Sequence, residues 1–327
     1  MKTYRHIIVG IDFSPACRSA LKTAVRIAAA SSIPVTAVHV MDAKLAAAIK
    51  EAHNFSDEQL FGDMTERVQA FMEDSEIGTQ LVKSELTVGH PFAALGAACL
   101  RHQADLLVLG SRGSEHGPNQ VGTVASKCLR KAPADVLLVR VHGQAPFKQV
   151  LACVDLSETS AIAVRSARWI AEQDGSQLDC LFVYQSALAL SLDYGGFVPP
   201  LPVADVSMGD TWKKDVDDFV QPLLRTSDNL AWRSLVVERV NIREAIVEHI
   251  KETGTDLVVL GTRGKTDLRT LLLGTTAEKV VAHAPCSILA VKPDGFVSPL
   301  ASEAEPVTQV PVAETSAILP PAVGPLA

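Results

Sequence analysis

The chain has 327 residues, 47% of them hydrophobic and 20% charged, an ordinary globular composition with room for about two domains. Its formal net charge of −7 argues against a protein that binds DNA without sequence preference, because such binding needs a basic surface. No apolar run reaches the roughly 20 residues that span a bilayer, and the N-terminus resembles no secretory signal. We therefore expect a soluble, cytoplasmic protein without nucleic-acid or membrane partners.

In chain order, the first half alternates apolar runs with amphipathic stretches. Five runs have the length of strands: HIIVGI, PVTAVHV, SELTV, DLLVLG and ADVLLVRV. Helices are predicted between them, with Ser14 and Ser56 as N-caps and Pro15 in a first helical turn. Apolar strands that are separated by helices indicate a parallel sheet covered on both faces.

The second half repeats the first. The segment that begins RHIIVGIDFSPAC at Arg5 corresponds to the one that begins KQVLACVDLSETS at Lys148. ADLLVLGSRG then corresponds to TDLVVLGTRG, and the segments around the last helix and strand correspond as well. Three matching blocks in the same order indicate a tandem duplication of a unit of about 145 residues, which is the size of a whole domain.

The fold class follows from this order. Right-handed crossovers make each copy a doubly wound, five-stranded parallel sheet, so we predict an α/β protein with domains at residues 1–143 and 147–293. Residues 294–327 are rich in Pro, Ala, Val and Ser, which indicates a disordered tail whose removal leaves folding intact. Residues 184–210 of copy two predict a long loop, either a surface excursion or a lid or partner surface.

Cysteine and histidine show no metal-binding pattern. The six cysteines and nine histidines are scattered without CxxC, HxxxH or HExxH spacing. Each cysteine lies in or beside an apolar segment, as expected of small buried side chains in a reducing compartment. We therefore expect no dedicated metal site.

Glycines mark one stretch of copy two, GTRGKTDLRTLLLGTT, which begins at Gly261 after the fourth apolar run. In a doubly wound sheet, ligands sit beyond the carboxyl ends of the strands, where the strand order reverses. Gly261 and Gly264 allow a ligand to approach the backbone, and Gly274 and Thr275 open a helix whose free N–H groups favour an anion. The spacing predicts a phosphate-binding loop; glycines that only form tight turns are the alternative.

This arrangement resembles the universal stress protein family, whose ATP-binding members carry G-x2-G-x9-G-[S/T] after the fourth strand. Copy two matches the pattern in full, and the resemblance covers roughly residues 3–293. It implies a fold similar to the adenine nucleotide alpha hydrolases. An Asp after strand one and a Val ending strand two would contact adenine, the first Gly would lie near the ribose, and the later Gly and Thr residues would hold phosphates. The residues so implied in copy two are Asp155, Val183, Gly261, Gly264, Gly274, Thr275 and Thr276.

Copy one holds a second, degenerate version of this site. Its counterparts are Asp12, Val40, Gly110, Gly113, Gly122 and Thr123. Eight residues separate Gly113 from Gly122, one fewer than in copy two, which shifts Gly122 relative to the phosphates unless the loop absorbs the difference. Glu115 and Pro118 also alter the charge and shape of this loop. Whether copy one binds nucleotide is left open.

Copy two departs from its relatives at another point. Before its third helix it reads VNIREAIV, where copy one reads the common family form VGHPFAAL. Asn241 tolerates a left-handed backbone better than most residues, so this change is compatible with binding.

Three functions compete. The first is a stress-response regulator that binds ATP, AMP or another adenine nucleotide, with or without Mg²⁺, and lacks robust turnover because no general base stands beside the phosphate loop. Weak ATP hydrolysis or self-phosphorylation, known in relatives, stays open. Lys265 and Arg269 are either phosphate contacts or solvated charges.

The second function is a nucleotide-independent interaction scaffold with degenerate sites. The third, an adenylyl transferase or PP-loop ligase, needs a HIGH-type or SGGxDS signature, whereas the chain reads GIDFSPA and CVDLSET.

The resemblance also implies how the two copies pair. Relatives associate through the fifth strand, here near Val136–Val139 and Ile288–Val291. We therefore expect an internal pseudo-dimer, and a homodimer of the whole chain and an unidentified protein partner are left open.

Overall fold

The computed structural model describes residues 3–77, 82–111, 121–141, 146–185, 208–225, 229–264 and 273–301. Its strands are β1 (Ile7–Ile11), β2 (Val35–Met41), β3 (Val82–Val88), β4 (Leu106–Gly110), β5 (Asp135–Val139), β6 (Gln149–Val154), β7 (Gln177–Tyr184), β8 (Trp232–Glu238), β9 (Leu257–Gly261) and β10 (Ser287–Val291). Its helices are α1 (Pro15–Ala29), α2 (Ala43–His53), α3 (Asp57–Asp74), α4 (Pro91–Arg101), α5 (Thr123–Lys131), α6 (Glu158–Asp174), α7 (Met208–Leu224), α8 (Ile242–Thr253) and α9 (Thr275–His283), followed by a 3-10 turn, η1 (Pro299–Ala301).

These strands form one continuous sheet in the order β3-β2-β1-β4-β5-β10-β9-β6-β7-β8. Within each half the neighbouring strands are parallel, and the order reverses between the first and fourth strands of each copy, β1 with β4 and β6 with β9. The predicted α/β, doubly wound fold is therefore confirmed in both copies. Each reversal opens a crevice at the carboxyl edge of the sheet.

The two halves join through their fifth strands, as predicted. β10 pairs antiparallel with β5, and Ile288 lies opposite Leu138 while Ala290 lies opposite Val136. Every residue of both strands is buried. Pairing covers two sheet edges that would otherwise leave apolar strands open to association.

A hydrophobic core continues across this junction on both faces of the sheet. On one face, residues such as Val9 and Leu137 of copy one belong to the same cluster as Leu289 of copy two. Tyr4 meets Trp169 edge to face across the halves, with ring centroids 5.2 Å apart. The two copies therefore share buried surface beyond a single pair of strands.

The helix starts follow the local signals in the sequence. Ser14 caps α1 and accepts a hydrogen bond from the Cys17 N–H at 3.1 Å, and Ser56 forms a reciprocal capping box with Gln59 at the start of α3. Helix α2 was not predicted. It is mostly exposed and buries only Ala46, so it lacks the apolar periodicity that marks a helix in a sequence.

Two predicted boundaries need correction. Helix α7 begins at Met208, inside the predicted loop at 184–210, and residues 186–207 lie outside the described part of the chain. Residues 294–301, assigned to the tail, are folded onto copy one: the Ser298 hydroxyl donates to the Lys131 carbonyl at 2.6 Å, and Leu300 is 7% exposed. Leu300 fills the hollow over Gly96, where an added Cβ would lie only 2.1 Å from it. The remaining tail, residues 302–327, also lies outside the described residues.

Candidate functional site

The crevice of copy two lies beyond the carboxyl ends of β6 and β9, the two neighbouring strands between which the strand order reverses. These strands pair directly, with Ala152 in register with Val259. Asp155 follows the end of β6, and Gly261 is the last residue of β9. Two of the predicted site residues thus flank the reversal of strand order, where ligands bind in this class of sheet.

A strained turn holds the Asp155 carboxylate. Its Oδ1 accepts a hydrogen bond from the Ser157 N–H at 3.0 Å, and Leu156 between them has a φ of 61°. Copy one repeats this turn: Ser14 N–H donates to Asp12 Oδ1 at 3.0 Å, and Phe13 also has a φ of 61°. Bulky residues rarely adopt this conformation, and such strain concentrates at functional sites. We did not predict the turn, although the repeated D-x-S sequence is its signal.

Gly264 lies directly against this carboxylate. A Cβ added to Gly264 would stand 2.6 Å from Asp155 Oδ2, closer than atoms can approach. The segment that leaves β9 therefore passes beside Asp155, and the Asp155 oxygen that the turn leaves uncovered faces Gly264. The structure brings these two predicted residues together.

Packing within the protein accounts for Gly261. A Cβ there would lie 2.8 Å from Thr159 Cγ2 and 3.1 Å from the Arg263 carbonyl oxygen. At Gly110, the counterpart in copy one, a Cβ would lie 2.8 Å from backbone atoms of Ala16 and Cys17. The fourth strand of each copy approaches the first helix so closely that glycine is required, whether or not a ligand lies nearby.

Gly274 is different, because the described residues around it leave room for a side chain. A Cβ would lie 3.7 Å from the Thr262 carbonyl oxygen, an ordinary contact, and its backbone angles (φ −54°, ψ 145°) suit any residue. Gly274 is the N-cap of α9, and its N–H donates to the Thr262 carbonyl at 3.1 Å. Glycine supplies no side-chain acceptor to the first-turn N–H groups, where Thr275 is exposed and Thr276 half-buried.

The corresponding helix start in copy one is not displaced. The Gly122 N–H donates to the Ser111 carbonyl at 3.0 Å, and its backbone angles (φ −60°, ψ 152°) match those of Gly274. The missing residue therefore leaves Gly122 in the equivalent position, which agrees with the alternative in which the loop absorbs the difference. Gly113 belongs to residues 112–120, which lie outside the described residues, as do residues 265–272 of copy two.

Val183 offers its backbone to the crevice. Its side chain is 7% exposed and packs in the core. The next residue, Tyr184, accepts a hydrogen bond from the Arg239 N–H on the β8 side at 3.0 Å. Successive residues of a strand point their carbonyls to opposite neighbouring strands, so the Val183 carbonyl points to the β6 side. Since β6 ends at Val154, opposite Phe182, this carbonyl lies beyond the end of β6. Val40 is placed in the same way beyond the end of β1.

Asn241 has a different role from the one expected. Its backbone is extended, with φ −111°, and its side chain accepts from the N–H groups of Arg243 at 3.2 Å and Glu244 at 3.3 Å. Asn241 is the N-cap of α8, so its tolerance of a left-handed backbone is not used here. A side-chain oxygen that satisfies two free N–H groups favours this arrangement.

Titratable side chains elsewhere indicate no reactive metal or thiol centre. In the described ranges, no group of three or more His, Cys, Asp or Glu residues could hold a metal ion. The cysteines are free; five are buried and Cys153 is half-buried. Burial raises the pKa of the Cys153 thiol to about 12, which makes it a weak nucleophile at neutral pH. Likewise, none of the helices described is long and apolar enough to cross a membrane.

Comparison with known families decides the identity. Two segments, residues 3–140 and 146–292, each match the universal stress protein family. The chain belongs to this family.

Relatives of this tandem universal stress protein agree with the duplication. Universal stress protein YxiE of Bacillus subtilis is 24% identical over 147 residues, which are 99% of that protein and 45% of this chain. Universal stress protein MJ0531 of Methanocaldococcus jannaschii is 27% identical over 154 residues, 85% of that protein and 46% of this chain. Each such relative thus corresponds in length to about one half of the chain.

A solved structure shares the whole fold. A universal stress protein from Archaeoglobus fulgidus superposes with a TM-score of 0.60 at 15% identity, covering 88% of this chain and 98% of its own. At that identity the likeness concerns the fold alone. It shows that the arrangement of both halves, and not only of one domain, occurs in another universal stress protein.

Proposed function

We propose that this universal stress protein binds an adenine nucleotide in its C-terminal half and acts as a nucleotide-responsive regulator without robust turnover. The nucleotide would be ATP or AMP, and Mg²⁺ could accompany the phosphates. Adenine would lie beyond β6 and β7, against Asp155 and the Val183 backbone. The phosphates would lie at the start of α9, against Gly264, Gly274 and the two threonines.

One observation carries this proposal: glycine occupies position 274, although no described residue stands close enough to exclude a Cβ there. Serine or aspartate would supply a capping oxygen, at a gain of roughly a few tenths of a kcal/mol over glycine. A residue at the N-cap that neither fills space nor accepts hydrogen bonds leaves the first-turn N–H groups open to an external anion. Phosphate suits both the geometry and the positive end of the helix dipole.

The choice of the C-terminal half rests on the loop sequences. The helix starts of the two copies have equal backbone geometry, so position alone does not distinguish them. Between Gly264 and Gly274 the loop of copy two carries Lys265, Asp267 and Arg269, a net charge of +1, whereas between Gly113 and Gly122 the loop of copy one carries Glu115, a net charge of −1. Basic residues favour bound phosphates, and an acidic residue in the shorter loop opposes them.

The absence of robust turnover is inferred from Asp155, the carboxylate that the described residues place against Gly264. Asp155 Oδ1 already accepts hydrogen bonds from the Ser157 N–H and hydroxyl. Its other oxygen faces Gly264, close to the end of β6 where adenine is expected. This placement suits recognition of a base better than activation of water at the far phosphate.

Mass spectrometry of ligand released from the gently purified chain tests the proposal. We expect an adenine nucleotide at about one per chain, and calorimetry with added ATP and AMP on stripped protein should give saturable binding. A chain that releases no nucleotide and gives no binding heat with either would instead support the nucleotide-independent scaffold.

A further inference from the structure

Arg140 of the N-terminal half reaches the far end of the helix that carries the proposed phosphate site. It follows directly after β5, and its Nη2 donates to the Ala284 carbonyl at 2.7 Å. Its Nε donates to the Cys286 carbonyl at 3.4 Å. Ala284 is the C-cap of α9, whose N-cap is Gly274. The carbonyl of the α9 C-cap and that of Cys286, just beyond the helix, therefore bond to a cation from the other copy.

The pairing of the fifth strands creates this contact and an equivalent one in the other half of the chain. Lys292 follows β10 as Arg140 follows β5, and its Nζ donates to the Leu129 carbonyl at 2.5 Å in the last turn of α5. Helix α5 begins after Gly122. Because β5 and β10 run antiparallel, the residue after each strand lies beside the last turn of the other copy's phosphate helix.

We propose that Arg140 is a positioning residue for the C-terminal nucleotide site, so that this site is complete only when the N-terminal half is present. The inference rests on the proposed nucleotide function. Helix α9 has nine residues, so it is a short rod of about 13 Å. The Gly274–Thr262 hydrogen bond holds one end and Arg140 holds the other.

The charge of Arg140 also suits this role. A cation at the carboxyl end of a helix complements the negative end of its dipole, which stabilises the helix in the orientation that presents its N–H groups. Besides Arg140, apolar packing and Glu278, which lies 3.9 Å from Arg130 of copy one, also hold α9, so the loss of Arg140 would loosen the carboxyl end of the helix in particular. Small shifts of its first turn would then weaken every phosphate hydrogen bond together, since such bonds depend steeply on distance and angle.

Another arginine provides a matched control. Arg26 also bridges the two halves, where it pairs with Asp174 of α6 and lies over the Phe147 ring. It is located between α1 and α6, and its partners Asp174 and Phe147 lie outside α9. An Arg26→Met variant therefore removes an arginine between the halves without touching the proposed phosphate helix.

The test uses the full-length chain and its Arg140→Met, Arg140→Lys and Arg26→Met variants. Calorimetry measures ATP and adenosine binding, and thermal unfolding is recorded for each variant. We expect Arg140→Met to weaken ATP binding about three- to tenfold, the size of a favourable cation–dipole contact, and to leave adenosine binding unchanged. Arg140→Lys should restore most of the ATP affinity, and Arg26→Met should keep it.

The outcomes separate this inference from the function on which it rests. Equal losses for ATP and adenosine, the same loss in Arg26→Met, or unchanged ATP binding in Arg140→Met would each overturn the positioning role. A wild-type chain that binds no ATP would overturn the proposed function and this inference with it.

Discussion

Replacing Gly274 tests whether the start of α9 holds phosphate. In Gly274→Val, the new Cβ would lie 3.7 Å from the Thr262 carbonyl oxygen, so the first atom of the side chain clashes with none of the described residues. The backbone, with φ −54°, is equally accessible to valine. The substitution should thus leave the fold intact while placing branched methyl groups where the phosphates would lie.

The expected loss follows from the contacts at this helix start. Each charge-assisted hydrogen bond contributes about 1.5–3 kcal/mol, so losing one or two should lower nucleotide affinity at least about tenfold. Stability should not fall in parallel. In Gly274→Ala, the gain of about 0.4–1 kcal/mol from a more restricted unfolded chain should be largely offset, because alanine is a poorer N-cap than glycine.

Calorimetric titration with ATP, combined with urea unfolding, measures both quantities. Gly122→Val is the matched control, since Gly122 opens the equivalent helix of copy one with the same backbone angles. If Gly122→Val abolishes binding and Gly274→Val does not, the working site lies in the N-terminal half. Loss of affinity in Gly274→Val that merely tracks a loss of stability would refute the phosphate interpretation altogether.

Two further predictions concern stability. Ending the chain after Ala301 should leave the melting temperature unchanged. Ending it after Pro293, or replacing Leu300 in Leu300→Ala, should lower the free energy of unfolding in urea by about 2 kcal/mol, because Leu300 is buried over Gly96. Equal stability of both truncations would show that this contact is not formed. Asp179 is fully buried, which raises its pKa, but the nearby His249 ring, 3.5 Å away, and hydrogen bonds from Arg233 at 2.7 and 2.9 Å outweigh burial and lower the pKa to about 2. The stabilisation of the folded state by ionised Asp179 is therefore present above the ordinary pKa of 3.8 and is lost as the pH falls toward 2. Asp179→Asn should make the free energy of unfolding less dependent on pH in that range. An unchanged pH dependence in this variant would contradict the assignment.

Signals within a few residues of one another were sufficient for much of the fold. Alternating apolar runs and helical stretches indicated the strands and most helices, and Ser14 and Ser56 were placed correctly as caps. The repeated blocks indicated two doubly wound copies, because duplicated sequence folds into duplicated structure. The glycine spacing located the crevice, since carboxyl ends of parallel strands meet at one edge of the sheet. Helix α2 escaped because an exposed helix with one buried residue leaves no periodic trace.

Tertiary structure decided what each marked residue does. Packing against Thr159 requires glycine at position 261, and Leu300 fills the hollow over Gly96. At Gly274, no contact within the described chain forbids a side chain. Arg140 and Ala284 are 144 residues apart in sequence, and only the antiparallel pairing of β5 and β10 brings them into contact. Local patterns depend on periodicity and capping, which neighbouring residues determine. Contacts between distant segments depend on strand order and register, and those emerge only when the whole core packs.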